Sequence, residues 1–157
     1  MKQLELKSVI TEYQPGELSA SDAQLVQLAI EATRSSYAPY SGFHVGAALE
    51  LVDGEHFVGC NQENAALPSG ICAERSAIYA AGAQCPDKAV VAIAIAARGT
   101  DGELTEMPIS PCGICRQVLI ETETRFAHPV RILLYGRKAT YVADSIKQLM
   151  PLSFTEF

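Results

Sequence analysis

From residue 21 apolar positions return at helical spacing. Ser21 is followed three positions on by Gln24 and then by Leu25, Leu28, Ala29 and Ala32, the pattern of a capping box opening an amphipathic helix that runs to about Ser35. Pro39 and Gly42 break the pattern. The small, apolar and β-branched run at 43–52 then reads as a strand. Asp53-Gly54 is a two-residue hairpin signal and turns the chain into a second strand ending near Asn61. After the loop residues Pro68, Ser69 and Gly70, the run AERSAIYAAGA predicts a helix that opens at Cys72 and ends at Gly82. Residues 89–97 are continuously apolar between Lys88 and Arg98, as in a central strand covered on both faces. Pro111 suits a first helical turn, and CGICRQVLIETET gives a third helix. A buried strand at 130–136, a short one near 139–142 and a last helix across 144–150 complete the chain.

Helix, hairpin, helix, strand, helix, strand, strand, helix is the order of a three-layer α/β/α sandwich around a mixed five-stranded sheet. The first twenty residues carry little pattern. They are expected to form an arm (1–20) laid over one domain (21–157). A chain of 157 residues with 48% hydrophobic and 19% charged residues has enough apolar surface for one self-sufficient core.

Charge narrows the partners. Twelve Lys and Arg against 18 Asp and Glu give a net −6, with no basic run. A long nucleic acid or an anionic membrane is therefore disfavoured, and a small neutral substrate fits better. The longest apolar run is far short of the roughly 20 residues that span a bilayer. The start, MKQLELKSVI, lacks a signal-type apolar block. These features predict a cytoplasmic protein, where thiols stay reduced. Five cysteines cannot all pair within the chain, so metal ligation or catalysis is the first reading of them.

Cys112 and Cys115 share a face at one helix start, and Cys72 opens another helix. A helix N-terminus carries partial positive charge and unpaired N–H groups, which favour thiolate. Three such thiolates describe a zinc site with an open fourth position, the catalytic type. Two alternatives stand beside it: a closed structural site completed by Cys60, Cys85 or His56, and a redox pair at Cys112 and Cys115. Iron also accepts thiolates. Glu74, two residues after Cys72, has no use in a closed site, and a redox pair leaves Cys72 and Glu74 unexplained. Three thiolates and a hydroxide overcompensate a divalent ion, which weakens its Lewis acidity. Arg75 is expected to offset this by donating to a cysteine sulfur; a plain surface arginine is the alternative.

The segments CAER at 72–75 and PCGICRQ at 111–117, with YAPYS (37–41), FHVGAA (43–48) and GCNQENAA (59–66), resemble the zinc nucleoside deaminases. In those enzymes a water attacks the base at carbon 4 and a glutamate moves the protons. Cysteine at 72, where the broader signature has histidine, is similar to the three-cysteine form found in small homotetrameric cytidine deaminases. The resemblance runs from about Asp22 to Phe154.

It implies hydrolysis of cytidine and deoxycytidine to the uridines and ammonia, in pyrimidine salvage. It also implies one zinc per chain on Cys72, Cys112 and Cys115, with Glu74 as proton carrier. Asn61 and Glu63 would hold the sugar, Phe43 would contact the base, and the backbone at Ala73 and Ser110 would read its edge. Phe154 would reach a neighbouring subunit's site in a homotetramer. Asn61 and Glu63 also project on one face of extended chain and offer a donor and acceptors suited to hydroxyls. The plain alternatives are a turn cap for that pair, core packing for Phe43, and docking of the tail that carries Phe154 onto its own core. Rival functions are deamination of a cytosine-bearing antibiotic, which the sugar-type motif argues against, and a non-catalytic module with structural zinc. An RNA- or DNA-editing enzyme is disfavoured by the charge.

Overall fold

The computed structural model describes residues 1–155. Its regular elements are β1 (Thr11–Tyr13), α1 (Ala20–Ala32), β2 (His44–Leu51), β3 (His56–Cys60), α2 (Ala73–Gln84), β4 (Val90–Arg98), α3 (Gly113–Phe126), β5 (Arg131–Tyr135) and β6 (Thr140–Ala143), with three short 3₁₀ turns. The sheet order is β1-β6-β5-β4-β2-β3. Only β4 and β5 run parallel, joined by the α3 crossover, and every other neighbour is antiparallel.

Alternation along β4 explains the layers. Ala92, Ala94 and Ala96 face α1 together with Ala48 and Leu133, whereas Ile93 and Ile95 face α2 and α3 with Leu49, Ile132 and Leu134. Small side chains on the first face let α1 lie close: a Cβ at Gly46 would come 2.1 Å from the Ala29 carbonyl oxygen. Gly59 does the same on the opposite face. A Cβ there would sit 2.4 Å from the Ala77 nitrogen, so the first turns of α2 rest directly on β3. The architecture is the expected α/β/α sandwich with a mixed sheet.

The sheet has six strands rather than five. Residues 11–13 pair with β6 in antiparallel register, and a three-residue edge strand is too short to show a period-2 pattern in sequence. Several boundaries also differ. Ser19, not Ser21, caps α1, its hydroxyl accepting from the Asp22 N–H at 3.1 Å. The β2–β3 connection is wider than a two-residue turn, with Leu51 N–H bonded to the Glu55 carbonyl and Gly54 at φ +85°. Gly82 lies inside α2, which continues to Gln84. Pro111 precedes the cap residue Cys112 and is outside α3. The expected last helix is one 3₁₀ turn, Ile146–Gln148, fixed by Ser145 and Gln148 in a capping box.

Candidate metal centre and substrate cleft

Two helices begin at cysteines whose backbones are extended. Cys72 caps α2 with φ −77° and ψ 156°, and Cys112 caps α3 with φ −65° and ψ 165°. A cap side chain usually bonds back to the helix N–H groups. Neither cysteine does so, which leaves both sulfurs available at the positive ends of two helices. Cys115 follows in the first turn of α3 and is fully buried. The three sulfurs lie within 4.8 Å of one another, and Cys72 and Cys112 are 3.9 Å apart. Zinc binds thiolate at about 2.3 Å tetrahedrally, which sets sulfurs about 3.8 Å apart, so the donor set fits zinc. Among the described residues no further His, Cys, Asp or Glu joins the cluster. Cys60 accepts from Gln62 Nε2, and Cys85 donates to Glu55; both lie in bonds outside the cluster.

The electrostatics favour thiolate at Cys72. The Cys72 thiol is drawn down to about 5, first by a hydrogen bond with Cys115 and then, against its partial burial, by Arg75. The same Cys72–Cys115 contact pushes Cys115 up. Arg75 directs Nη2 at the Cys72 sulfur across 3.7 Å, as expected of a compensating charge. Its Nε is buried with no hydrogen-bond partner among the described residues. Glu74 sits at the second position of α2, 4% exposed. Burial pushes its carboxyl above the ordinary range, and negative charge on Cys72 adds to this. The extended cap at Cys72 is what allows Glu74, two residues on, to lie beside the same cluster.

A cleft of about 520 Å³ opens from Cys72 and Arg75 towards Tyr40, Ser41, Asn61 and Glu63. Its far wall is already hydrogen-bonded to itself. Asn61 Oδ1 accepts from Val45 N–H at 2.7 Å and from Ser36 Oγ, while Nδ2 donates to the Phe43 carbonyl at 2.9 Å. Glu63 accepts from the Tyr40 and Ser41 N–H groups at 2.8 and 3.2 Å and from the Ser41 hydroxyl. These bonds lower the Glu63 carboxyl below its ordinary value, the Ser41 hydroxyl contributing most. The two side chains thus line the cleft and also shape residues 36–45.

The remaining expected residues fall around this centre unevenly. Ala73 is buried at the start of α2, beside Cys72. Ser110 is exposed just ahead of Cys112, and Phe43 is half-buried where β2 begins. Phe154 is 62% exposed, with its carbonyl held by Gln117 Nε2 at 2.9 Å. Sequence reasoning missed Ser36 and gave no role to Ser41, which with Ser36 anchors the far wall, or to Arg116, which binds Ser110 and Pro111. One signal was available for Arg116: a cation in the first turns of a helix opposes the dipole and needs acceptors elsewhere.

Residues 19–127 match the family model described as the cytidine and deoxycytidylate deaminase zinc-binding region. The chain is 37% identical over 131 residues to a cytidine deaminase of Halalkalibacterium halodurans, covering 83% of this chain and 92% of that one. A Sporosarcina psychrophila cytidine deaminase is 35% identical over 134 residues, covering 85% and 90%. Among solved structures, a Burkholderia pseudomallei cytidine deaminase superposes with a TM-score of 0.73 at 38% identity, covering 84% of this chain and 98% of that one. A Mycobacterium tuberculosis cytidine deaminase gives 0.67 at 29% identity, covering 87% and 98%.

Proposed function

The chain belongs to the zinc-binding cytidine and deoxycytidylate deaminase family, and on that premise we propose that it hydrolyses cytidine and deoxycytidine to the corresponding uridines and ammonia. One zinc per chain is its cofactor, and Cys72, Cys112 and Cys115 are the residues placed to hold it. The observation that carries the reading is the buried Glu74 beside a three-sulfur cluster with no fourth protein ligand among the described residues. A closed structural site would fill that place.

When bound, zinc supplies a Lewis acid that makes water nucleophilic near neutral pH. The Glu74 carboxylate takes a proton from the attacking water at carbon 4 and delivers it to ring nitrogen 3. It then carries the second proton to the amino group, which leaves as ammonia, so that water and cytidine become uridine and ammonia with nothing left over. Arg75 holds Cys72 and withdraws charge from its sulfur. Asn61 and Glu63 bind the sugar hydroxyls from the far wall, Phe43 lies against the base, and the backbone at Ala73 and Ser110 reads its polar edge.

The free nucleoside is the substrate: among the residues lining the cleft Arg75 is the one cation, and it is engaged with Cys72. The exposed Tyr40 and Leu67 in the lining of the cleft, with the exposed Phe154 on the C-terminal segment, support a homotetramer in which a neighbouring subunit covers the site. We assign residues 21–157 to the catalytic unit and 1–20 to an arm. A cytoplasmic place in nucleoside salvage accords with thiol ligands, which a reducing compartment preserves. No helix among the described residues is long and apolar enough to cross a membrane.

Ammonia release from cytidine, with Glu74→Gln run beside the native chain at equal zinc content, tests this. The native chain is expected to be active and the variant about 10² to 10⁴-fold slower. Near-native turnover by the variant would remove Glu74 from its role, and an inactive, zinc-loaded native chain would overturn the substrate.

A further inference from the structure

Arg116 has no part in the reaction above, yet it sits where three of the segments used there meet. It lies in the second turn of α3. Its guanidinium sends each nitrogen to a different acceptor: Nε to the Pro111 carbonyl at 2.9 Å, Nη2 to the Ser110 hydroxyl at 2.8 Å, and Nη1 to the Leu149 carbonyl at 2.8 Å. Two acceptors immediately precede Cys112. The third closes the 3₁₀ turn Ile146–Gln148, from which the C-terminal segment departs towards Phe154. The next residue, Gln117, donates to the Phe154 carbonyl at 2.9 Å, so two adjacent α3 side chains hold both ends of that segment.

Apart from Arg116, the loop ahead of Cys112 is held by packing, with Ile109 against the core and Pro111 buried. Among the described residues, none of the backbone groups of 107–111 takes part in a backbone–backbone hydrogen bond. Its anchorage on the far side is packing, where Gly136 lies so close that a Cβ would stand 2.5 Å from the Met107 carbonyl carbon. Between that contact and the cap at Cys112, Ser110 and Pro111 are tied by the two hydrogen bonds from Arg116. A planar guanidinium with donors diverging in one plane can serve three acceptors at once, whereas a lysine ammonium is a point donor on a flexible stem.

We infer that Arg116 is a positioning residue that locks Ser110, Pro111 and through them Cys112 to the C-terminal segment, so that tail docking and metal-site geometry form one coupled property. The inference rests on the roles given above to Cys112 and Ser110. Its consequence is that a change at Leu149 is felt at a sulfur ligand through one side chain. Displacement of a reacting group by about 1 Å can cost on the order of 10²-fold in rate.

The test uses full-length zinc-loaded Arg116→Lys and Arg116→Gln, with three readouts: zinc transfer to a chromophoric chelator, hydrogen exchange of the amides at 149–154, and steady-state kinetics with cytidine. Both variants are expected to release zinc about tenfold faster and to exchange the tail amides faster. In both, kcat falls roughly 10- to 100-fold while KM moves less, and lysine does not rescue. A lower melting temperature with native zinc release, native tail exchange and native kcat would reduce Arg116 to a stabilising residue and overturn the inference. If neither variant folds, Ser110→Ala, which removes one acceptor, is expected to show the same three changes at a smaller size; no change there overturns it too. Should the native chain leave cytidine untouched, the functional reading fails, while zinc release and tail exchange still decide the role of Arg116.

Discussion

The two walls of the cleft are built on different principles. At the metal wall the chain presents side chains that its own backbone does not use: two helix caps, Cys72 and Cys112, make no capping bond, and Glu74 is buried beside them. At the far wall, the proposed sugar wall, Asn61 and Glu63 are largely spent on residues 36–45 before any ligand arrives. The metal wall is fixed by helix packing and keeps its chemistry free. The far wall is fixed by the Asn61 and Glu63 side chains themselves, and Tyr40 and Leu67 beside it stand 60% and 80% exposed. A substitution at the first wall should therefore cost chemistry before fold, and one at the second should cost both together.

The sharpest way to break this contrast is Cys115→Ala. Zinc content, read by metal analysis, is expected to drop to background and activity with it, while circular dichroism stays near native, because a buried thiol replaced by a methyl removes little volume. Global unfolding would show that the metal holds the fold and that the wall is not prebuilt. Next in size is Gly59→Ala. The new Cβ has no room against the Ala77 nitrogen, so α2 must lift from β3, with an overpacking cost of about 1–3 kcal/mol. Weaker zinc retention alongside the lower melting point is expected; a lower melting point alone would separate α2 placement from the metal wall.

Asn61→Ala probes the other wall. Loss of its three bonds should cost about 1–3 kcal/mol of stability, and KM for cytidine should rise about tenfold with a smaller change in kcat and unchanged zinc content. Unaltered KM would leave Asn61 as a loop anchor only. The smallest effect is on pH. Because the Glu63 carboxyl lies below its ordinary value of 4.5 in the folded chain, its anchorage of Tyr40 and Ser41 is complete above about that pH and is lost as the pH falls through the lowered value. Amide exchange at 40–43 should quicken there, whereas a Glu63→Gln chain should show no such step.

Much of this was legible in the sequence. The apolar run at 89–97 marked the central strand and the cysteines marked the helix starts, which the structure places at Cys72 and Cys112. The edge strand β1 was not legible, since three residues carry no period and gain their pairing only from β6. The last helix failed for a related reason: Gln148 folds back to bond the Asp144 and Ser145 N–H groups and closes a single turn where composition suggested a longer one. Asn61 and Glu63 were recognised as polar groups on one strand end, but sequence spacing could not show that their first partners are the chain's own loop.

The sequence by itself determined which of the longer segments are helix or strand and which residue types stand near their ends, because propensity, capping and apolar period act over a few neighbours. Only the tertiary structure decided that the sulfurs of Cys72 and Cys112, forty positions apart, stand 3.9 Å from each other. It also decided that Gly59 seats α2 on β3 and that Arg116 joins Ser110 to Leu149. Those meetings depend on the order in which strands align in the sheet and on how closely a helix can approach it. Distance along the chain encodes neither.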